Sequence, residues 1–288
     1  MKISSILKEN RRTMSFEVFP PKTYDKFDTV RDATERIAAL SPAYMSVTFG
    51  AGGTGARYTL PIAANIEQKF GVPVIHHLTC VGSTKENIDE KLLFMKMVGV
   101  ENLLALRGDL PEGAEPSAWD FRHANELTAH VKTRGDFCIG GACYPEKHPE
   151  AASMEEDIAN LKLKVEAGCD FLTTQLFLDN AVFFSFKDKL DAAGITVPVT
   201  AGVMPITSVR QFARIVTLSG SAITPELKSI GEKYADDPVS MKSAGIEYAE
   251  KQIAGLYLNG VKNIHVYTMN DAAVAEKLIG DFSGLLSR

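Results

Sequence analysis

The chain has 288 residues, 45% hydrophobic and 23% charged, the balance of a globular protein with a sizeable core. Lys plus Arg total 31 against 36 Asp plus Glu, a formal net charge of -5, which speaks against a nucleic-acid or membrane surface as partner. Cys80, Cys138, Cys143 and Cys169 lack C-x-x-C spacing, so no structural zinc or iron-sulfur cluster is indicated; no run reaches the ~18 apolar residues of a membrane span, and a reduced cytoplasm is the expected location.

Taken in chain order, apolar runs at 14–19, 43–49, 73–79, 102–107, 137–143, 170–177, 197–203 and 262–268 predict eight strands. In the first, Met14, Phe16 and Val18 alternate with Ser15, Glu17 and Phe19, and Pro20 and Pro21 end the strand because neither can donate to a ladder. Helix-period segments lie between the strands. Ser83 with Glu86 and Ser153 with Glu156 stand at capping-box spacing, and Gly71, Gly99, Gly168 and Gly194 fall where helices should end. The stretch 219–260 is too long for one helix and one loop, which predicts extra short helices ("TPELKSIGEKY") before a long one at about 238–258. Strand-helix units repeated in this way predict an α/β fold, a (β/α)8 TIM barrel forming a single domain over 1–288, with a doubly wound open sheet as the competitor.

Residues 50–55, "GAGGTG", satisfy G-x-G-x-x-G after a strand and before a helix. A dinucleotide fingerprint also needs an acidic residue at the end of the next strand, and that strand ends in "HHLTC". A strand-to-helix loop at the barrel mouth is the better reading.

The informative feature is where uncommon polar residues fall. In a parallel barrel all strand C-termini open on the face that carries chemistry. Reading each strand to its end yields Glu17, Thr48, His77, Arg107 with Asp109, Tyr144, Gln175, and Tyr267 with Thr268. Each alone has a bland explanation: a solvated Glu, a turn-capping Asp, a core His. Their convergence on one mouth is what singles them out. Over 153–168, Ile158, Leu161 and Val165 form an apolar stripe at helical spacing, beside a polar stripe of Asp157, Asn160 and Lys164.

"SFEVFPPK", "SVTFGAGG", "HLTC", "ALRGDLP", "YPEKHPE", "NLKLKVEAG", "TTQLF" and "VYTMN", spanning residues 15–270, resemble motifs of the methylenetetrahydrofolate reductase family in the family's order. The resemblance implies a barrel that carries FAD at the strand C-termini. It also implies hydride passage from NADH or NADPH to 5,10-methylenetetrahydrofolate, giving 5-methyltetrahydrofolate for methionine synthesis in a ping-pong cycle, and assembly as a homo-oligomer. By motif, Glu17 resembles the general acid, Asp109 the carboxylate beside flavin and pterin, and Gln175 the folate-binding glutamine. Thr48, His77, Arg107, Tyr144, His148, Asp157, Asn160 and Lys164 resemble FAD contacts, as Asp109 also does. Ile215 stands where bacterial relatives can have a phenylalanine, and the fold stops at residue 288 without the regulatory domain of eukaryotic members, so inhibition by S-adenosylmethionine is not expected.

The chemistry implied needs a proton on the nitrogen that departs when the substrate's five-membered ring opens to an iminium cation, and a glutamic acid delivers one near neutral pH only if burial raises its pKa from ~4.3. An ionised Asp109 would instead stabilise the cation and make the flavin harder to reduce. Other readings of the same barrel are another flavin-dependent oxidoreductase, proline dehydrogenase among them, a non-catalytic flavin-binding subunit, and a lyase or aldolase without flavin.

Overall fold

The structure, a computed structural model, describes residues 1–49, 56–110, 119–212, 215 and 221–286. The eight strands are β1 (Thr13–Val18), β2 (Met45–Val47), β3 (Val74–Thr79), β4 (Asn102–Leu106), β5 (Cys138–Cys143), β6 (Phe171–Thr174), β7 (Val199–Val203) and β8 (Asn263–Tyr267). They pair in parallel and in chain order, and β8 returns to β1 to close a (β/α)8 TIM barrel. The predicted runs all become strands, shorter at their ends except the first, which keeps its length and shifts back by one residue. The sixth stops at Thr174, because Gln175 turns its own Oε1 back to accept from Leu176 N at 2.8 Å.

The alternation read in β1 extends around the barrel. Met14, Phe16, Val18, Met45, Val47, Val74, Leu78, Leu103, Ala105, Ile264 and Val266 face the helices and form one buried cluster with them. These helices are α2 (Phe27–Ala39), α3 (Ala56–Phe70), α4 (Lys85–Val98), α5 (Ala124–Lys132), α6 (Met154–Glu166), α7 (Asn180–Ala192), α8 (Pro225–Lys233), α9 (Pro238–Leu258) and α10 (Ala272–Phe282). α8 and α9 are the short and long helices expected before the last strand. α6 starts as expected, Ser153 Oγ accepting from Glu156 N at 3.2 Å. The cap of α4 lies one residue beyond the expected Ser83. Thr84 Oγ1 accepts from Asn87 N at 3.2 Å, while Ser83 is buried and accepts from Lys91 Nζ at 3.5 Å. Gly71, Gly99, Gly168 and Gly194 have φ of 67°, 85°, 116° and 73°, the left-handed conformation that ends a helix without a Cβ penalty.

The short N-terminal helix α1 (Ile3–Lys8) was not legible in the charged leader, and it closes the bottom of the barrel. Ile3, Ile6 and Leu7 pack onto Tyr44, Ile75, Leu104, Cys138 and Phe171 inside the strands. Two buried asparagines take its ends: Ile3 N donates to Asn102 Oδ1 at 2.9 Å, and Asn263 Nδ2 donates to Leu7 O at 3.1 Å. Gly140 leaves room for this plug, since a Cβ there would lie 2.4 Å from Phe171 Cζ. Ile6→Ala should therefore lower stability by about 2–5 kcal/mol, read as a lower denaturant midpoint at unchanged slope.

β3 carries two adjacent buried histidines on opposite faces, His76 among the helices and His77 in the barrel. Burial lowers His76 to about 3 and His77 to about 4, in the latter against the opposing pull of the Glu17 charge. Between about 6.5 and 4 the unfolded chain then binds protons that the native state refuses. Stability is whole above about 6.5 and declines as pH falls through that window. Urea midpoints measured from pH 7 to 4.5 should fall, and His76→Gln should flatten that slope; an equal slope in the variant contradicts the assignment.

Candidate active site

The strand C-termini surround a cavity of about 440 Å³ whose floor includes Glu17, Ser46, His77 and His265. Glu17 pairs in register with Ser46 on β2 and Tyr267 on β8, which brings three polar side chains to one level. The residue is 8% exposed. Oε2 accepts from Ser46 Oγ at 3.4 Å and lies 3.6 Å from His77 Nε2 and 3.9 Å from His265 Nε2. His265 is fixed on every side. Its ring stacks on Tyr44 at 5.6 Å and meets the Tyr267 ring at 5.5 Å near a right angle, and its two nitrogens face Ser15 Oγ at 2.8 Å and Ser46 Oγ at 3.0 Å.

Proton counting constrains this chain. Ser15 Oγ donates to Ile264 O at 3.0 Å, so it is left to accept from His265 Nδ1–H. Nε2 then has two options through Ser46. Either an imidazolium Nε2–H donates to Ser46 and Ser46 donates to the Glu17 carboxylate, or Ser46 donates to a bare Nε2 and accepts from a protonated Glu17. The two arrangements differ by one proton moved between His265 and Glu17.

A second cavity of about 360 Å³ runs from the barrel rim onto α6 and is lined by Arg107, His148, Glu150, Asp157, Asn160 and Lys164. It meets the first at Leu106, Ala142 and Tyr144, which line both. Arg107 Nη2 donates to Glu150 Oε1 at 2.8 Å, which raises the guanidinium and lowers the carboxyl. Asp157 Oδ2 accepts from His148 N at 2.9 Å, and Lys164 Nζ donates to Ala142 O at 2.7 Å. The stripe of Ile158, Leu161 and Val165 packs inward, with Ile158 and Leu161 buried beside Cys143. Tyr144 is pushed up to about 12, first by burial and then by the charge of Asp109.

The residues singled out in the sequence divide accordingly. Glu17, His77, Gln175 and Ile215 line the inner cavity; Arg107, His148, Asp157, Asn160 and Lys164 the outer; Tyr144 both. Thr48 and Asp109 line neither, and the adjoining segments 50–55, which contain the whole "GAGGTG" pattern, and 111–118 lie outside the described residues. Thr48 is buried with an Oγ1 that has no hydrogen-bond partner among the described residues, whereas Asp109 is exposed on the rim. The strand-end reading missed Ser15, Ser46 and His265, each two residues below a polar residue it did select. Their signal was the same alternation, read one step further back. Among the described residues no cluster of His, Cys, Asp and Glu is arranged for a metal, and no helix is long and apolar enough to cross a membrane.

The pattern of the family described as methylenetetrahydrofolate reductase matches residues 2–282. Methylenetetrahydrofolate reductase (NADH) 1 of Arabidopsis thaliana is 34% identical over 283 residues, covering 93% of this chain and 48% of the plant protein. The 5,10-methylenetetrahydrofolate reductase of Pectobacterium carotovorum subsp. carotovorum is 34% identical over 268 residues, covering 93% of this chain and 89% of its own length. The chain thus spans about half the length of the plant relatives it matches and most of the bacterial one. An uncharacterized protein from Clostridium thermocellum that binds two copies of 5-methyl-5,6,7,8-tetrahydrofolic acid shares the fold, with a TM-score of 0.67 at 15% identity over 96% of this chain and 99% of that one. Family pattern and relatives agree over nearly the whole barrel, and the chain belongs to the methylenetetrahydrofolate reductase family.

Proposed function

We propose that this protein reduces 5,10-methylenetetrahydrofolate to 5-methyltetrahydrofolate with electrons from NADH or NADPH, using FAD in a ping-pong cycle. The observation that carries the reading is Glu17, a buried carboxyl at the floor of a cavity that opens sideways into a second one along α6. The methyltetrahydrofolate held by the Clostridium thermocellum protein and the names of the relatives support a folate as substrate.

Two joined cavities suit a cofactor with a flat head and a long nucleotide tail. Thr48 Oγ1 and His77 Nε2, which have no hydrogen bond among the described residues, are polar atoms of the kind a bound group would satisfy. Arg107, Tyr144, His148, Asp157, Asn160 and Lys164 would hold the nucleotide half, with Asp109 beside the head. FAD, when bound, would supply the two-electron chemistry between nicotinamide and folate.

The protein's own part is protonic and electrostatic. Glu17 gives its proton to the nitrogen that leaves the one-carbon bridge, so that the ring opens to an iminium cation able to accept hydride. Loss of that proton leaves a carboxylate, to which Ser46 Oγ donates at 3.4 Å, and because His265 Nε2 is bare while Glu17 is protonated the replacement proton is taken from solvent at the cavity mouth. His77, lowered to about 4 by burial, stays neutral at pH 7 and adds no second positive charge beside the cation. Gln175 at the cavity wall offers its Nε2 donors to a pterin edge, its Oε1 being engaged by Leu176 N. Asp109 contributes a fixed negative charge at the rim.

The test separates the half-reactions. An anaerobic titration with each nicotinamide, followed by methylenetetrahydrofolate, should bleach and then restore the flavin spectrum; a colourless protein contradicts the reading. Glu17→Gln should leave reduction by NAD(P)H nearly intact and slow reoxidation by folate by about 10²–10⁴, the range of a lost general acid. Asp109→Asn should raise the flavin potential by on the order of 30 mV, about a tenfold equilibrium change for two electrons, and slow folate reduction. Potentiometry giving an unchanged value removes the electrostatic role.

A further inference from the structure

We propose that Asn270, seconded by Thr268, is a positioning residue for Glu17, holding the end of β1 through hydrogen bonds from the segment after β8; this rests on Glu17 being the acid of the reaction proposed above. The β1–β8 ladder reaches its last registered pair at Glu17 and Tyr267. Beyond it, Phe19 is followed by Pro20 and Pro21, which have no N–H to offer. A side chain takes over there. The Asn270 carboxamide accepts from Phe19 N at 2.8 Å and donates through Nδ2 to Phe19 O at 2.9 Å, the two bonds of a strand rung made by one residue. Thr268 Oγ1 donates to Glu17 O at 2.8 Å.

Bringing Asn270 to that position requires an unusual backbone. Met269 and Asn270 have φ of 54° and 61°, consecutive non-glycine residues in the left-handed region. Asparagine tolerates this conformation, but a long side chain such as methionine does not favour it, and such strain persists only where the surroundings over-determine it. The same turn sends Met269 to the wall of the inner cavity, so the anchor of the acid and a wall of its pocket belong to one segment. Barrel closure does not need the anchor. Residues Thr13 to Glu17 already pair with Asn263 to Tyr267 below it.

The experiment uses the full chain with its flavin. Asn270→Gly keeps the positive φ without a steric cost while deleting both bonds to Phe19. It should speed hydrogen exchange at the Phe19 amide and slow flavin reoxidation by methylenetetrahydrofolate about ten- to hundredfold, the scale of a misplaced group. Reduction by NAD(P)H should not change. Asn270→Asp, which retains the acceptor for Phe19 N–H, should recover part of the loss. Equal slowing of both half-reactions, or an unchanged folate half-reaction with a freed Phe19 amide, overturns the proposal. Should Asn270→Gly fail to fold, Thr268→Val, which deletes the bond to Glu17 O, is read by the two half-reactions alone: slower reoxidation by folate with unchanged reduction by NAD(P)H supports the proposal, and equal slowing or no change overturns it. A wild-type protein that reduces no folate would sink the functional reading instead, and protection of the Phe19 amide would still decide whether the anchor exists.

Discussion

Closure of the parallel sheet is the constraint on which everything else depends. Once β8 pairs with β1 there is no free edge, both faces of every strand are covered, and any polar side chain pointing inward must find its partner inside. The interior therefore has a vertical order. At the closed end α1 and the ring of Tyr44, Ile75, Leu104 and Phe171 form a buried hydrophobic plug. One level up, Ser15, His265 and Ser46 satisfy one another, and Glu17 stands where the interior opens. Polarity rises toward the mouth because only there does the barrel stop supplying neighbours.

That order explains which parts of the site were legible in the sequence. Strand alternation depends on one strand alone, so the inward set of β1 could be read directly, and Glu17 was correctly aimed into the barrel. Register depends on two strands and is not written in either. Thr48, the last polar residue of its run, was therefore selected on β2, although the pairing sets Ser46 opposite Glu17. His265 was passed over for a similar reason. It lies below the strand end that the reading favoured, and its role comes from neighbours at positions 15, 44 and 46, more than 200 residues away.

Helix ends show the same division. Gly71 and Gly99 were identified because a left-handed residue is a local demand. The α4 cap was misplaced by one because Ser83 and Thr84 are equally good caps in isolation. Burial of Ser83 against α4, with Lys91 reaching its hydroxyl, leaves Thr84 as the residue free to bond the helix N-terminus. α1 was invisible for a different reason. Six residues are too few for a helical period to declare itself, and its stability comes from the barrel bottom it fills, not from its own propensity.

The asymmetry of the cavity follows from side-chain size on β5. Gly140 and Ala142 point into the barrel, opposite β1 and β8 where Glu17, His265 and Tyr267 lie, whereas Gly141 faces α6. A Cβ at Gly140 would strike Phe171, and one at Gly141 would lie 2.8 Å from Lys164 Cδ. The missing side chain at Gly141 thus lets the lysine stem pass along the strand to Ala142 O, and the small Ala142 leaves the wall low where the two cavities join. Bulkier residues along "GGAC" would act differently at each place: at Gly140 against the plug, at Gly141 against Lys164, and at Ala142 across the junction of the two cavities. The small residues of β5 therefore set the plug, the path of Lys164 and the junction of the two cavities from a single strand.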